Sequence, residues 1–272
     1  MSPTGGVGDL VAAPGARLLY ARTGKWDGQV EVIDLDTFTV SASIDIPGVS
    51  VTMGLAVSPD GKHLYVGHRE GVAEIDAVSR TVTRTLSNPA GFAPSRLVVS
   101  PDGRFLYGFS GRAGRFDLAG GEWTLSENLP PTRALAVSPD GKRLYLCDGK
   151  WTIRLLDAAT LAVTATINDG VRRHTAAVHP DGRLFIAGAS SEVRDGSSLE
   201  HIKGRFSVPP AYDDNMVRIA LSPDGARICT ASAEFRVSPS DASAGEVRGG
   251  ELPNDEVAVA IIVAAPIGAS RG

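Results

Sequence analysis

One short pattern recurs along nearly the whole chain: an apolar run, then Ser-Pro-Asp-Gly, then a second run centred on Leu-Tyr. The clearest copy, at 55–67, reads L-A-V-S-P-D-G-K-H-L-Y-V-G. Counting degenerate copies, the prolines are spaced by 45, 42, 38, 41, 43 and 43 residues; they are Pro14, Pro59, Pro101, Pro139, Pro180, Pro223 and Pro266. A fixed step of about forty residues is typical of a repeat architecture, so the chain must consist of similar structural units.

Each repeat predicts four short strands. Proline presets its own φ, aspartate tolerates the bridge region, and glycine takes the positive φ that closes a tight hairpin. A third alternating run follows, such as V-A-E-I-D at 72–76, and then a fourth, such as T-V-T-R-T-L at 81–86. Four strands without any helical period form one blade of a β-propeller. The sequence therefore predicts an all-β chain with the β-propeller fold.

Particular residue types recur at fixed places in the repeat. Small residues in the middle of the first run indicate innermost strands that converge on an axis; they are Ala56, Ala136, Ala177 and Ala220. Aromatic rings in the second run are expected to fill the space between blades; they are Tyr20, Tyr65, Tyr107, Tyr145 and Phe185. Aspartates after the third run are expected to cap turns; they are Asp34, Asp76, Asp117 and Asp157.

These repeats resemble the YVTN family of β-propeller repeats, which also occur in lactonase-type propellers. The resemblance covers roughly 10–266 and implies the propeller fold. The asparagine that this family usually carries after the Leu-Tyr-Val strand is missing, because the copies read Gly67-His68, Phe109-Ser110, Cys147-Asp148 and Gly188-Ala189. No catalytic motif of the lactonase-type enzymes matches, so the resemblance assigns no active-site residue.

The repeat spacing predicts a flexible lead at 1–8 and a single propeller domain at 9–272. The predicted blades span 9–50, 51–93, 94–130, 131–170, 171–213 and 214–254. A surplus strand at 256–265 is expected to join blade 1 and close a six-bladed ring, which would remove the open edge. Either Leu10–Ala13 or Val257–Ala264 is then innermost, and a seven-bladed ring is the alternative.

Composition and charge narrow the function classes. The net charge of −4 gives no argument for a nucleic-acid partner, and the longest apolar run, at 257–265, is too short to span a membrane as a helix. The first ten residues lack the features of a signal peptide. Cys147 and Cys229 lie on second strands of repeats that are not neighbours, which disfavours a disulfide and favours the cytoplasm.

Metal, serine-hydrolase and nucleotide-binding motifs are absent, so we expect no metal and no cofactor. Nothing in the sequence indicates the oligomeric state.

Arginines fall in register just before several first strands. In a propeller these positions share one face with the loops between second and third strands, so they converge at the mouth of the central channel. Converging guanidinium groups repel one another unless carboxylates or an anionic ligand compensate them. We therefore predict a binding site for a small anionic ligand or a partner segment; its residues are Arg96, Arg133, Arg173, Arg218, His68 and Met53. Solvated arginines or inter-blade ion pairs are the alternative.

A second hypothesis is an enzyme without a cofactor: a lactone hydrolase, a lyase, or an isomerase or cyclase. His174 would be its base, because histidine titrates near neutral pH and the neighbouring Arg173 disfavours its protonated form. Tyr212, Asp213 and Asp214 are near enough in register to supply an acid. A third hypothesis is a purely structural module of a longer polypeptide.

Overall fold

The computed structural model contains only strands and turns in the part of the chain that it describes. It describes 7–23, 28–37, 39–49, 52–89, 91–148, 151–171, 173–188, 191–202, 218–221, 227–231 and 237–241. No helix of these residues has the length and hydropathy that crossing a bilayer requires.

Blades 1 to 3 contain the first twelve strands, β1 to β12. They are β1 (Val7–Ala12), β2 (Leu18–Thr23), β3 (Gln29–Asp34), β4 (Thr39–Asp45), β5 (Thr52–Val57), β6 (His63–His68), β7 (Gly71–Asp76), β8 (Thr81–Ser87), β9 (Arg96–Val99), β10 (Phe105–Phe109), β11 (Arg112–Asp117) and β12 (Trp123–Asn128).

Blades 4 to 6 contain β13 to β23. They are β13 (Ala134–Val137), β14 (Arg143–Cys147), β15 (Thr152–Asp157), β16 (Val163–Asn168), β17 (Arg173–Val178), β18 (Arg183–Gly188), β19 (Ser191–Asp195), β20 (His201–Ile202), β21 (Arg218–Leu221), β22 (Arg227–Ala231) and β23 (Val237–Asp241).

Each sheet is an antiparallel meander whose strands pair in chain order. Five sheets have four strands, and the described part of the sixth has three. The first strand of each sheet contacts the first strand of the next, from β1 through β5, β9, β13 and β17 to β21. Short strands that stack around a common axis in this way confirm the predicted β-propeller.

Blade 1 has its own innermost strand. β1 pairs with β2 and contacts β5, so the position next to the axis belongs to Leu10 and its neighbours in β1. β1 already begins at Val7, within the range predicted as a lead. The surplus strand predicted at 256–265 lies outside the described residues, so closure of the ring by that strand stays a prediction.

The core lies between neighbouring blades. The aromatic residues on the second strands of blades 1 to 5 are 2–3% exposed, and the tyrosines of blades 1 to 4 pack against the next blade, as the repeat pattern predicts. Tyr65, for example, packs with Leu106 and Phe116 of blade 3, and Tyr145 packs with Leu184 and Ile186 of blade 5. Full burial of rings of this size contributes about 2–3 kcal/mol each, so the blades are held together mainly by these contacts.

Hydrogen bonds specify both kinds of turn. In Ser-Pro-Asp-Gly the glycines have φ near +70°, for example +72° at Gly61 and +71° at Gly103, as predicted. After the third strands of blades 1 to 4, the aspartate accepts hydrogen bonds from backbone N–H groups two and three residues later, which confirms that Asp34, Asp76, Asp117 and Asp157 cap turns. Asp195 does the same in blade 5.

Candidate functional site

Successive blades contact one another at the N-terminal ends of their innermost strands. We call this side the mouth face and the opposite side, which carries the Ser-Pro-Asp-Gly turns, the turn face. The Leu55 N–H of blade 2 donates to Asp9 Oδ2 of blade 1 at 3.3 Å. A Cβ on Gly54 would lie 3.0 Å from the Ser95 carbonyl of blade 3. Arg96 Nε of blade 3 donates to the Arg133 carbonyl of blade 4 at 2.7 Å. The innermost strands of blades 1 to 4 therefore begin on one continuous face, which includes Arg96 and Arg133.

The four predicted arginines lie at or just before the start of an innermost strand, five to seven residues before the repeat proline. Arg96, Arg173 and Arg218 are the first residues of β9, β17 and β21, and Arg133 immediately precedes β13. Because these innermost strands contact one another in order, the four backbone positions are neighbours on the mouth face. The side chains of Arg173 and Arg218 lie outside the described residues, so a shared ligand site stays a prediction.

Arg96 is held in place by backbone carbonyl groups. Its Nη1 donates to the Ser95 carbonyl at 2.7 Å, in addition to the bond from Nε to Arg133. Nη2 has no hydrogen-bond partner among the described residues. Arg133 itself is exposed. A guanidinium oriented by two hydrogen bonds loses little further entropy when it binds an anion.

Asp9 is a half-buried carboxylate of this region. Desolvation by burial raises its pKa, whereas the Leu55 N–H bond and the charges of Arg96 and Arg22 act in the opposite direction. Its two oxygens accept from the backbone N–H groups of Leu10, at 3.2 Å, and Leu55. Asp9 thus compensates part of the positive charge of the mouth face.

His68 differs from its predicted place on an exposed rim. Its side chain is only 5% exposed, and its backbone pairs with the buried Thr52. Nδ1 lies 3.3 Å from Glu70 Oε2, and Nε2 is buried without a hydrogen-bond partner in the described structure. Met53 is half-buried beside Thr52. His68 is therefore buried in blade 2 rather than exposed on a rim, and its part in ligand binding stays a prediction.

Sequence reasoning missed Arg22. It pairs with Asp9 across β1 and β2, its charge acts on that carboxylate, and its Nε is buried without a described partner. The available signal was its position after the tyrosine of β2, at the mouth-face end of that strand. Arg22 therefore adds a positive charge to this region, and Asp9 lies near both Arg22 and Arg96.

The residues of the catalytic hypothesis are mostly undescribed. His174 follows Arg173 in β17, but its side chain lies outside the described residues. Tyr212, Asp213 and Asp214 also lie outside them. Among the residues that the structure does describe, no group of three or more His, Cys, Asp or Glu side chains could hold a metal ion.

Known proteins resemble this chain in structure. No protein-family model matches the sequence, and no curated protein matches it. A structure of Kuenenia stuttgartiensis hydrazine synthase matches with a TM-score of 0.68 and 18% identity, over 86% of this chain and 76% of that one. The β-propeller domain of Myceliophteria thermophila Cps50 (Swd1) matches with a TM-score of 0.68 and 15% identity, over 92% and 88%. At such low identity the likeness concerns architecture only, and the resemblance to YVTN repeats stays a prediction. The chain is, by its fold, a β-propeller.

Proposed function

We propose that this propeller binds a small anionic ligand, through a carboxylate or phosphate group, at the mouth face. The fold itself is a common scaffold for ligand and partner binding. The observation that supports an anion is Arg96, whose guanidinium is oriented by two carbonyl groups beside the exposed Arg133. Arg173 and Arg218 begin the next two innermost strands after β13 and would add their charge at the same face.

The negative charge of Asp9 does not remove this potential anion site. Asp9 is the carboxylate that acts on Arg96, but its oxygens are already bonded to the N–H groups of Leu10 and Leu55. Burial also favours its neutral form, which weakens the compensation. An anion that reaches Nη2 of Arg96 would therefore meet a donor that Asp9 does not occupy.

The proposal predicts stabilisation by anions that depends on Arg96 and Arg133. Citrate and inorganic phosphate, each compared with chloride at equal ionic strength, should raise the melting temperature. Loss of one charge-assisted hydrogen bond weakens affinity by about 10-fold or more, so replacement of both residues by alanine should abolish the shift. Differential scanning fluorimetry measures it.

Arg17→Ala is the matched control, because Arg17 is an exposed arginine that pairs with Asp36 on the turn face. It should keep the full response to citrate. If the double variant responded like the unmodified chain, the proposal would be wrong. Stabilisation by hexaglutamate alone, without any effect of citrate or phosphate, would instead favour a partner segment. The catalytic hypothesis for His174 remains a prediction for which the described side chains offer no support.

A further inference from the structure

Two neighbouring clefts open between blades on the turn face. The first lies between blades 2 and 3 and has a volume of about 380 Å³. The second lies between blades 3 and 4 and has a volume of about 370 Å³. Pro101 and Asp102 of the blade-3 turn line both clefts and form the wall between them. We call the first one the blade 2–3 cleft.

A tyrosine hydroxyl without a partner faces the blade 2–3 cleft. Tyr145 shows what the equivalent hydroxyl does between blades 4 and 5, where it donates to the Gly196 carbonyl at 2.7 Å. In blade 3, the residue equivalent to Gly196 is Leu118. Its carbonyl already accepts a hydrogen bond from Arg84 Nη2 at 2.9 Å. Tyr65 is 3% exposed and lines the cleft, and its hydroxyl has no hydrogen-bond partner among the described residues.

Burial keeps this hydroxyl in its neutral form. Desolvation raises the pKa of Tyr65, and the nearby Glu74 carboxylate acts in the same direction. A neutral phenol offers one donor and free lone pairs. It can therefore accept a hydrogen bond from a charged N–H group that enters the cleft.

The charges that line the cleft favour a cation. Three carboxylates, those of Asp60, Glu74 and Asp102, face one guanidinium, that of Arg84. Arg84 is already bound to Glu74, and His63 Nδ1 lies 3.0 Å from the other oxygen of that carboxylate. The Asp102 carboxylate uses Oδ1 for Ser100 and for the Arg104 N–H group. Its Oδ2 has no partner in the described part of the chain.

We infer that the blade 2–3 cleft binds an alkylammonium group, with Asp102 as counter-ion and the Tyr65 hydroxyl as hydrogen-bond acceptor. An organic cation fits better than a metal ion, because these carboxylates do not form a group that could coordinate one. The apolar stem of the ligand would lie along Pro59 and Pro101, which also line the cleft. Both a free amine and a lysine side chain of a partner carry this chemistry.

The second cleft repeats part of this arrangement. Tyr107 lines it with a hydroxyl that has no described hydrogen-bond partner, and Arg115 bonds to the Ala159 carbonyl across it. Two cationic side chains, Arg115 and Lys142, line this cleft. The additional positive charge makes it the weaker of the two sites.

Titration with n-butylammonium chloride tests the site, with sodium chloride at equal ionic strength as reference. Isothermal calorimetry on the full chain should detect binding of n-butylammonium. Tyr65→Phe should weaken it by about 2- to 10-fold, as expected for one neutral hydrogen bond. Asp102→Asn should weaken it by at least about 10-fold, because it removes the charge but keeps the Oδ1 acceptor of the turn.

Matched controls come from other blades. Tyr145→Phe removes a hydroxyl that is bonded to Gly196. Asp181→Asn changes the residue of blade 5 that is equivalent to Asp102, and Asp181 lines neither described cleft. Both variants should bind n-butylammonium as tightly as the unmodified chain. Equal affinity of the Tyr65→Phe variant, or no binding beyond the sodium reference, would overturn the inference even if Asp102→Asn failed to fold.

A comparison of two peptides distinguishes a free amine from a partner's lysine side chain as the ligand. Acetyl-Gly-Lys-Gly-amide is compared with the same peptide carrying N-ε-acetyllysine. Binding of both n-butylammonium and the lysine peptide, lost on acetylation, supports a site that also accepts a partner's lysine. Binding of n-butylammonium alone supports a free amine. Equal binding of the acetylated peptide would contradict recognition of the ammonium group.

Discussion

In the three described Ser-Pro-Asp-Gly turns, one serine hydroxyl holds the turn together. Ser138 is 1% exposed, and its Oγ donates to Asp140 Oδ1 at 2.5 Å and accepts from the Arg143 N–H group at 2.9 Å. The same pair of bonds occurs at Ser58 and Ser100. One small side chain therefore satisfies both a carboxylate and a strand N–H at the base of the hairpin.

Ser138→Ala should destabilise the chain by about 1–3 kcal/mol, because it leaves a buried N–H group without an acceptor. Urea unfolding followed by circular dichroism measures the free energy of unfolding. His179 replaces this serine in blade 5, and its Nδ1 lies 2.7 Å from Asp181 Oδ1. Restoring the repeat with His179→Ser should therefore change stability by less than about 1 kcal/mol. A Ser138→Ala variant as stable as the unmodified chain would contradict this role of the hydroxyl.

At the scale of strands and loops, close approach between blades requires glycine at particular places. Gly67 lies near the end of β6, where a Cβ would be only 2.4 Å from the Pro94 carbonyl oxygen of the following connection. That oxygen is backbone and cannot move away as a flexible side chain could. The spacing of blades 2 and 3 is therefore set in part by the absence of one methyl group.

Gly67→Ala should cost about 1–3 kcal/mol of unfolding free energy through overpacking. Gly120→Ala is the control, because its nearest described neighbour would be Asp117 Cγ at an ordinary 3.5 Å. Thermal unfolding of both variants provides the comparison. If the two substitutions had equal effects, the contact with Pro94 would not limit the approach of the blades.

The repeat allowed the strands and turns to be predicted, but not the irregular connections. Phe92, between β8 and β9, is 1% exposed and packs edge-on against Trp123, with ring centroids 5.0 Å apart. Gly108 and Gly114 leave room for it, since a Cβ on Gly114 would be 2.6 Å from the Phe92 ring. Nothing periodic marks this residue, because its position depends on how the connection folds back over the blade.

The candidate site was predictable only in part, for a similar reason. Repeat register predicted that Arg96 and Arg133 would be neighbours, because the starts of adjacent innermost strands must meet. It did not predict that a backbone carbonyl would be the partner of Arg96, or that His68 would be buried. Those features depend on the direction of individual loops and on inter-blade packing, which the register of a repeat does not determine.

At the scale of the whole molecule, the turn face concentrates carboxylates that prefer the charged form. Hydrogen bonds lower the pKa of nine aspartates of this face; they are Asp34, Asp60, Asp76, Asp102, Asp117, Asp140, Asp157, Asp181 and Asp195. Asp9 on the mouth face has a raised pKa, so its protonation favours the folded chain instead. Nine lowered pKa values outweigh one raised value, so protonation of carboxylates should favour the unfolded chain.

The directions of these pKa shifts determine how the free energy of unfolding depends on pH. A carboxyl whose pKa is lower in the folded state contributes stability above its unfolded pKa and loses that contribution as pH falls through the folded value. For Asp195 this window extends from its ordinary value of 3.8 to about 2. We therefore expect the free energy of unfolding to change little between pH 7 and 5, and to fall steeply below about pH 4.

Asp195→Asn tests this argument at one turn, because asparagine keeps the Oδ1 acceptor for Ser197 and Ser198 but does not titrate. Urea unfolding between pH 7 and pH 2 should show a shallower loss of stability in the variant below pH 4, since one group fewer takes up a proton on unfolding. Glu122→Gln is the control, because the side chain of Glu122 is exposed and accepts no described hydrogen bond. Its pH profile should match that of the unmodified chain. An Asp195→Asn profile with an unchanged slope, or a stability that rises on acidification, would show that the turn carboxylates do not govern the acid response of this propeller.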